Sequence, residues 1–182
     1  MQLHPVPGHQ RVVFLKPLVT DPRIEVGDYT YYDDPDDPLA FERDAFLYGY
    51  GPERLLIGRY CVFGEPWAER TMDLVMSAPS RGDTVVGHDV WLGYGALVMP
   101  GVNVGSGAVV AARSVVAADV PAYAIVAGNP ARVVRRRYED DDVERLLRAA
   151  WWDWPVELVT EHARTIMAGE PAELERVAGE LS

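Results

Sequence analysis

The stretch VGHDVW LGYGAL VMPGVN VGSGAV VAARSV VAADVP, residues 86–121, decides the fold. Each block of six opens on an aliphatic residue: Val86, Leu92, Val98, Val104, Val110 and Val116. Glycine or alanine follows in all but one block, at Gly87, Gly93, Gly105, Ala111 and Ala117. The fifth position is small or β-branched throughout: Val90, Ala96, Val102, Ala108, Ser114 and Val120. A fixed self-similar period takes precedence over any helix or strand assignment, and a period of six points to a parallel β-helix. Each block is then one short strand and a corner, with the first side chain turned inward and the small residue letting the chain turn. No single coil buries its apolar face alone, so coils must stack. Long buried helices do not explain this stretch. A step of six is far from 3.6, and its Gly, Pro and β-branched residues would cost roughly 0.5–3 kcal/mol each in a helix. Ordinary alternating strands explain the inward positions but not the glycine recurring beside them.

Composition narrows the classes of function. The 182 residues allow one substantial core with an appended helical segment. Acidic residues outnumber basic ones, 28 to 17, for a net charge of −11. That balance argues against a nucleic-acid partner, which needs a basic footprint, and against an anionic membrane surface. Nothing approaches the roughly 20-residue apolar span of a membrane helix. The start, MQLHPVPGHQRVV, has no basic region followed by an apolar run, so a cytoplasmic location is expected. The single cysteine, Cys61, forms no intramolecular disulfide and fits a reducing compartment.

Outward from the repeat, residues 1–23 read as an irregular, proline-rich arm running over the surface. The six-residue grammar first appears at Val26-Gly27-Asp28-Tyr29-Thr30 and returns at Ile57-Gly58-Arg59-Tyr60-Cys61, where Cys61 takes the small inward slot. Between them, residues 32–53 read as an excursion, and residues 62–83 as a second one with a short helix in WAERTMDLVM. The β-helix therefore spans 24–138, and 139–182 is helical. There Val143, Leu146, Leu147 and Ala150 share a face, Asp140 or Asp141 caps the start, a second helix runs from Pro155 to about Ala168, and a third follows Gly169.

Several segments together resemble the hexapeptide-repeat xenobiotic O-acetyltransferases, which include the β-helix chloramphenicol and streptogramin A acetyltransferases. They are IEVGDYTYYDDPDDP, LLIGRYC, the stretch from Gly82 through the repeat, DVPAYAIVAGNPARVVRRRY and LLRAAWWDWP. The resemblance implies a mainly β fold, a left-handed parallel β-helix with a C-terminal helical segment. It also implies a homotrimer, acetyl-CoA as co-substrate, no metal, and a small-molecule hydroxyl acceptor. Chloramphenicol, a streptogramin A, a sugar or another metabolite all remain open as that acceptor. A γ-type carbonic anhydrase shares such a coil, but it needs several histidines to hold a metal, and only His88 lies in the repeat.

In the family a histidine removes the acceptor's proton, as suits a group with a pKa near 6.5. It lies in a segment resembling N-G-A-N-H, followed shortly by S-T-Y-P-F. Here Cys61 runs directly into Val62-Phe63-Gly64, and about two dozen residues of that comparison have no counterpart, more than one 18-residue coil. The histidines present are His4, His9, His88 and His162. His88, the third residue of its block, is a weak candidate for the base and reads better as a corner residue. Three readings stay open: a chain that has lost the base, a segment of the gene product absent from this sequence, or another group doing the work.

Residue by residue, the resemblance places Trp91, Tyr94, Gly95, Ala112, Ala117, Arg132 and Arg135 toward CoA, and Tyr31, Tyr32 and Asp34 toward the acceptor. Arginine's planar fork suits the phosphates of CoA. Ala117-Ala118 stand where relatives carry Thr-Lys, so one ammonium of the phosphate grip is missing. Each position also has a plainer role. Trp91 can cover a coil, the alanines belong to the repeat, the arginines can pair with the acidic run after them, and Tyr31, Tyr32 and Asp34 can serve turn and packing.

Overall fold

A computed structural model describes residues 3–5, 10–45, 52–64 and 82–180. It divides into two compact units, residues 1–135 and 136–182. The first carries β1 (Val12–Phe14), β2 (Ile24–Val26), β3 (Tyr31–Asp33), α1 (Phe41–Ala45), β4 (Leu55–Ile57), β5 (Val62–Gly64) and β6 (Thr84–Val86). It continues with β7 (Trp91–Leu92), β8 (Leu97–Val98), β9 (Asn103–Val104), β10 (Val109–Val110), β11 (Val115–Val116) and β12 (Ala124–Gly128), and β13 (Ala131–Arg136) follows.

Successive strands fall on successive walls. One wall is β2-β4-β6-β9, a second runs β1-β3-β5-β7-β10-β12-β13, and a third is β8 with β11. Val86 faces Val104, Trp91 faces Val109 and Leu97 faces Val115, so the chain returns to each wall after 18 residues. Parallel strands need a crossover of a dozen residues or more, and here the other two walls supply it. The first two turns lack a described third strand. After β3, Phe41 packs edge-on against Tyr32 and Phe63, both with ring centroids 5.5 Å away. The helix expected at WAERTMDLVM lies outside the described residues.

The repeat grammar becomes columns inside the coil. Tyr32, Phe63, Leu92, Val110 and Val126 are in register and all buried. Beside them the small slot stacks Thr30, Cys61, Val90, Ala108 and Ala124, also buried. The residue before each small one turns the corner with a left-handed backbone: Tyr29, Tyr60, Asp89, Gly107 and Tyr123 have φ of 60°, 58°, 53°, 70° and 54°. Bulky residues are uncommon there, and Tyr29 and Tyr60 stack at 5.0 Å over that corner. Cys61 is sealed inside, its thiol donating to the Gly87 carbonyl at 3.0 Å. Burial pushes that thiol up to about 12, so it is a packing residue and not a nucleophile.

Three expectations change. The arm of residues 1–23 is not irregular throughout, because Val12–Phe14 pairs antiparallel with β3 and Val13 and Leu15 are fully buried. The excursions begin later than 32 and 62, since Tyr31–Asp33 and Val62–Gly64 are strands of one continuous ladder. Val62 donates to the Val90 carbonyl and Tyr31 to the Cys61 carbonyl, at 2.9 and 3.0 Å, so the chain passes from Cys61 into the wall without a break. In the second unit, α2 (Asp140–Ala149) is preceded by an extended Glu139 at its N-cap, with no side-chain cap. Asp140, Asp141 and Asp142 sit inside the first turn, where the helix dipole favours them. Its buried face carries Leu146 and Ala149, while Leu147 is exposed. The second helix is split at His162 into α3 (Val156–Glu161) and α4 (Ala163–Ala168), and α5 (Pro171–Glu180) follows. It packs along α2, with Arg148 bonded to Glu175 at 2.9 Å. No described helix is long and apolar enough to cross a membrane.

The glycine column sets how closely turns approach. A Cβ on Gly58 would lie 2.3 Å from the Gly87 carbonyl oxygen, which is backbone and has nowhere to go. Gly58→Ala should destabilise the fold by about 1–3 kcal/mol, read as a lower midpoint in urea. A midpoint equal to wild type would mean the turns are not in this contact.

Candidate functional site

Strand alternation fixes what the second wall presents outward. With Tyr32, Phe63 and Leu92 turned in, Tyr31, Asp33, Val62 and Trp91 lie on the outer face. Tyr31 pairs with Val62 and Val62 with Trp91, making one row across three strands. A cleft of about 310 Å³ opens there, lined by Arg11, Asp33, Pro35, Val62, Phe63, Trp91 and Tyr94. Trp91 is 57% exposed and Tyr94 46%, an unusual display for large aromatics. Across the cleft, Arg11 Nε donates to Asp33 Oδ1 at 2.5 Å. Burial, and then the Asp33 carboxylate, push the Tyr31 phenol up from its ordinary value.

The corner after Trp91 is built from the next residues. Gly95 turns with φ 63°, Tyr94 accepts the Arg113 amide on its carbonyl at 2.8 Å, and the Arg113 guanidinium lies 5.8 Å from the Tyr94 ring centre. Ala112 is exposed and sits under Gly93, whose added Cβ would meet the Ala112 amide at 2.7 Å. Ala117 is half-buried, and Arg132 and Arg135 are exposed on β13. Trp91 and Tyr94 thus meet in the cleft, whereas Ala112, Ala117, Arg132 and Arg135 lie outside its lining.

Of the residues assigned to the acceptor, Tyr31 is on the outer face and the other two are inside. Tyr32 is fully buried and donates its hydroxyl to Asp34 Oδ2 at 2.6 Å. Asp34 also accepts the amides of Asp36 and Asp37 at 2.8 and 2.9 Å, which folds the turn. Alternation within Tyr31-Tyr32-Asp33 was the signal that separates these roles, and it selects Asp33 in place of Asp34. Arg11 had no local signal, because it reaches the cleft through the β1–β3 pairing.

His88 does not have a base's geometry. Its Nδ1 accepts the Arg59 amide at 3.0 Å, so the neutral ring keeps its proton on Nε2. Its own amide donates to Ser106 Oγ and its carbonyl accepts the Gly107 amide, which makes it part of the corner. His4 bonds the Val12 carbonyl at 3.0 Å, His162 lies edge-on to Trp154, and His9 is outside the described residues. Among the described residues no group of three His, Cys, Asp or Glu is placed to hold a metal ion.

Comparison with known proteins gives these residues a context. The chain is 35% identical to a chloramphenicol acetyltransferase of Agrobacterium fabrum, over 91% of this chain and 92% of the relative. The chain belongs to the hexapeptide-repeat xenobiotic O-acetyltransferase family. It is an acyltransferase by that membership. A virginiamycin A acetyltransferase of Staphylococcus aureus is 33% identical over 94% of this chain and 90% of its own. A solved hexapeptide-repeat acetyltransferase of Vibrio cholerae is 25% identical, covers 64% of each chain and superposes with a TM-score of 0.44. No family model matches. The Agrobacterium alignment runs over 193 positions, of which 91% of 182 residues fills about 166, leaving about 27 positions without a residue from this chain. The same arithmetic for the Staphylococcus acetyltransferase, 199 positions against about 171, leaves about 28.

Asp34 gives the site's support a pH signature. Burial raises its pKa, but the Tyr32 hydroxyl and the Asp37 and Asp36 amides outweigh burial and hold it below the usual value. A depressed folded pKa adds stability that is present above about pH 4 and lost as pH falls through the folded value. Asp34→Asn should therefore lower stability by about 1–3 kcal/mol at pH 7, with the gap to wild type closing on acidification. A gap independent of pH would show that the charge of Asp34 is not what holds this turn.

Proposed function

We propose that the protein transfers the acetyl group of acetyl-CoA to a hydroxyl of a small molecule, with chloramphenicol or a streptogramin A as acceptor. We infer with it a left-handed β-helix, a homotrimer with the cofactor arm between neighbouring subunits, and a cytoplasmic location. The observation that carries this reading is the shared identity over nine-tenths of both chains with the Agrobacterium chloramphenicol acetyltransferase. The geometry is compatible with it. Trp91 and Tyr94 offer apolar faces beside the exposed corner at Gly95 and Ala112, where an extended amide arm meets backbone groups and small side chains. Exposed Arg132 and Arg135 supply guanidinium forks for phosphate. The acceptor oxygen attacks the thioester carbonyl, and the sulfur leaves as the CoA thiol.

A second reading is a β-helix that binds CoA without turnover. It is favoured by the occupied Nδ1 of His88, the one histidine of the repeat. Calorimetric titration with acetyl-CoA, beside release of free thiol in the presence of chloramphenicol or a streptogramin A, separates the two. Transfer predicts both binding and acceptor-dependent thiol; binding alone leaves the second reading. Arg135→Ala should raise the KM for acetyl-CoA roughly tenfold, as loss of one charge-assisted hydrogen bond implies, with kcat retained. An unchanged KM would remove Arg135 from the phosphate grip.

A further inference from the structure

Among the described residues, the cleft is lined by one strong proton acceptor. Its polar side chains are Arg11, Asp33 and Tyr94. Arginine has no acceptor atom, and a phenol is a weaker base than a carboxylate. Asp33 lies on the same outer face as Trp91, two strand spacings away and offset by two residues of register, which places them roughly 12 Å apart across the sheet. Space for a small acceptor is therefore bounded by a carboxylate on one side and exposed aromatic faces on the other. Resting on the acetyl-transfer reading above, we propose that the Asp33 carboxylate takes the proton from the acceptor hydroxyl, with Arg11 as the positioning residue that aims it.

The step balances with the substrates already named. The hydroxyl proton passes to Asp33 as the oxygen forms its bond to the acetyl carbon. The carbon–sulfur bond breaks with its electron pair going to sulfur. The proton held by Asp33 then returns to the thiolate, giving the acetyl ester and CoA thiol. Arg11 keeps the carboxylate turned into the cleft through the 2.5 Å contact and counters the field of neighbouring acidic groups. The Tyr31 phenol, pushed up by burial and then by Asp33, stays protonated beside it as a donor.

The test compares Asp33→Asn, Asp33→Ala and Arg11→Met with wild type in acetyl transfer to chloramphenicol and to a streptogramin A, with acetyl-CoA binding measured by calorimetry. Loss of a positioned base costs about 10²–10⁴ in rate. Asp33→Asn should thus lose at least about 100-fold in kcat while its acetyl-CoA affinity and melting temperature hold. Added formate should restore Asp33→Ala in proportion to its concentration and leave wild type unchanged, a response that a merely structural role does not give. Arg11→Met, which removes the same ion pair but keeps the carboxylate, should lose less than Asp33→Asn. Turnover of Asp33→Asn near wild type, absence of formate rescue, or an equal loss in Arg11→Met each overturn the role of Asp33 and leave the transfer reading standing. A wild-type protein that binds acetyl-CoA and acetylates neither acceptor overturns that reading, and this one with it.

Discussion

Everything in the first unit depends on a parallel backbone ladder that must come back into register at every turn, after 18 residues through the regular repeat. Parallel pairing is met at Val86–Val104, Trp91–Val109 and Leu97–Val115 only if each turn of chain is the same length and lies directly over the last. That requires corners with almost no thickness. Glycine at the second position lets one turn's backbone rest on the next, and a left-handed residue at the fourth position turns the chain. Where the fourth residue is not glycine, the cost of the left-handed backbone, roughly 1–2 kcal/mol, is offset by packing such as the Tyr29–Tyr60 stack. The inward columns then fill themselves, because the ladder places each first-position aliphatic over its predecessor.

The same constraint explains what the sequence made readable. Inward valines, small slots and corner glycines are local consequences of a six-letter period, and Cys61 could be placed inside by its slot alone. The strand Val62–Gly64 carried no readable period, because the sequence after it does not repeat in sixes until Thr84. Strand β1 and the position of Arg11 depend on an antiparallel partner twenty residues away, which no local pattern encodes. Assignment of Tyr32 and Asp34 to the acceptor followed a family resemblance that does not distinguish inward from outward neighbours, whereas strand alternation does. At α2 the acidic run signalled a helix start correctly but not its cap, since Glu139 takes the extended backbone and the aspartates serve the dipole.

Because each turn contacts only its neighbours, a solenoid tolerates loss of a segment better than a globular core does. The ladder from β3 through β5 to β7 is continuous across Cys61–Val62, and Phe41 closes over Tyr32 and Phe63. A gap of about 27 positions relative to the Agrobacterium acetyltransferase is thus compatible with an intact wall. In the transfer proposed above, chemistry and fold are separable, because the site sits on outward side chains that the ladder does not use.

That separation also says where the proton acceptor of the proposed transfer must be sought. Such a group has to project outward, lie on the wall that carries Trp91, and accept a proton without already spending its acceptor on the backbone. His88 fails the last condition through its bond to the Arg59 amide, and Asp34 fails the first by folding inward onto Tyr32 and two turn amides. Asp33 meets all of them: its partner is a side chain, Arg11, and a carboxylate keeps further lone pairs after accepting that one contact. Two adjacent aspartates in the run Tyr31-Tyr32-Asp33-Asp34 thereby divide structure from chemistry, one turned into the coil and the other into the cleft.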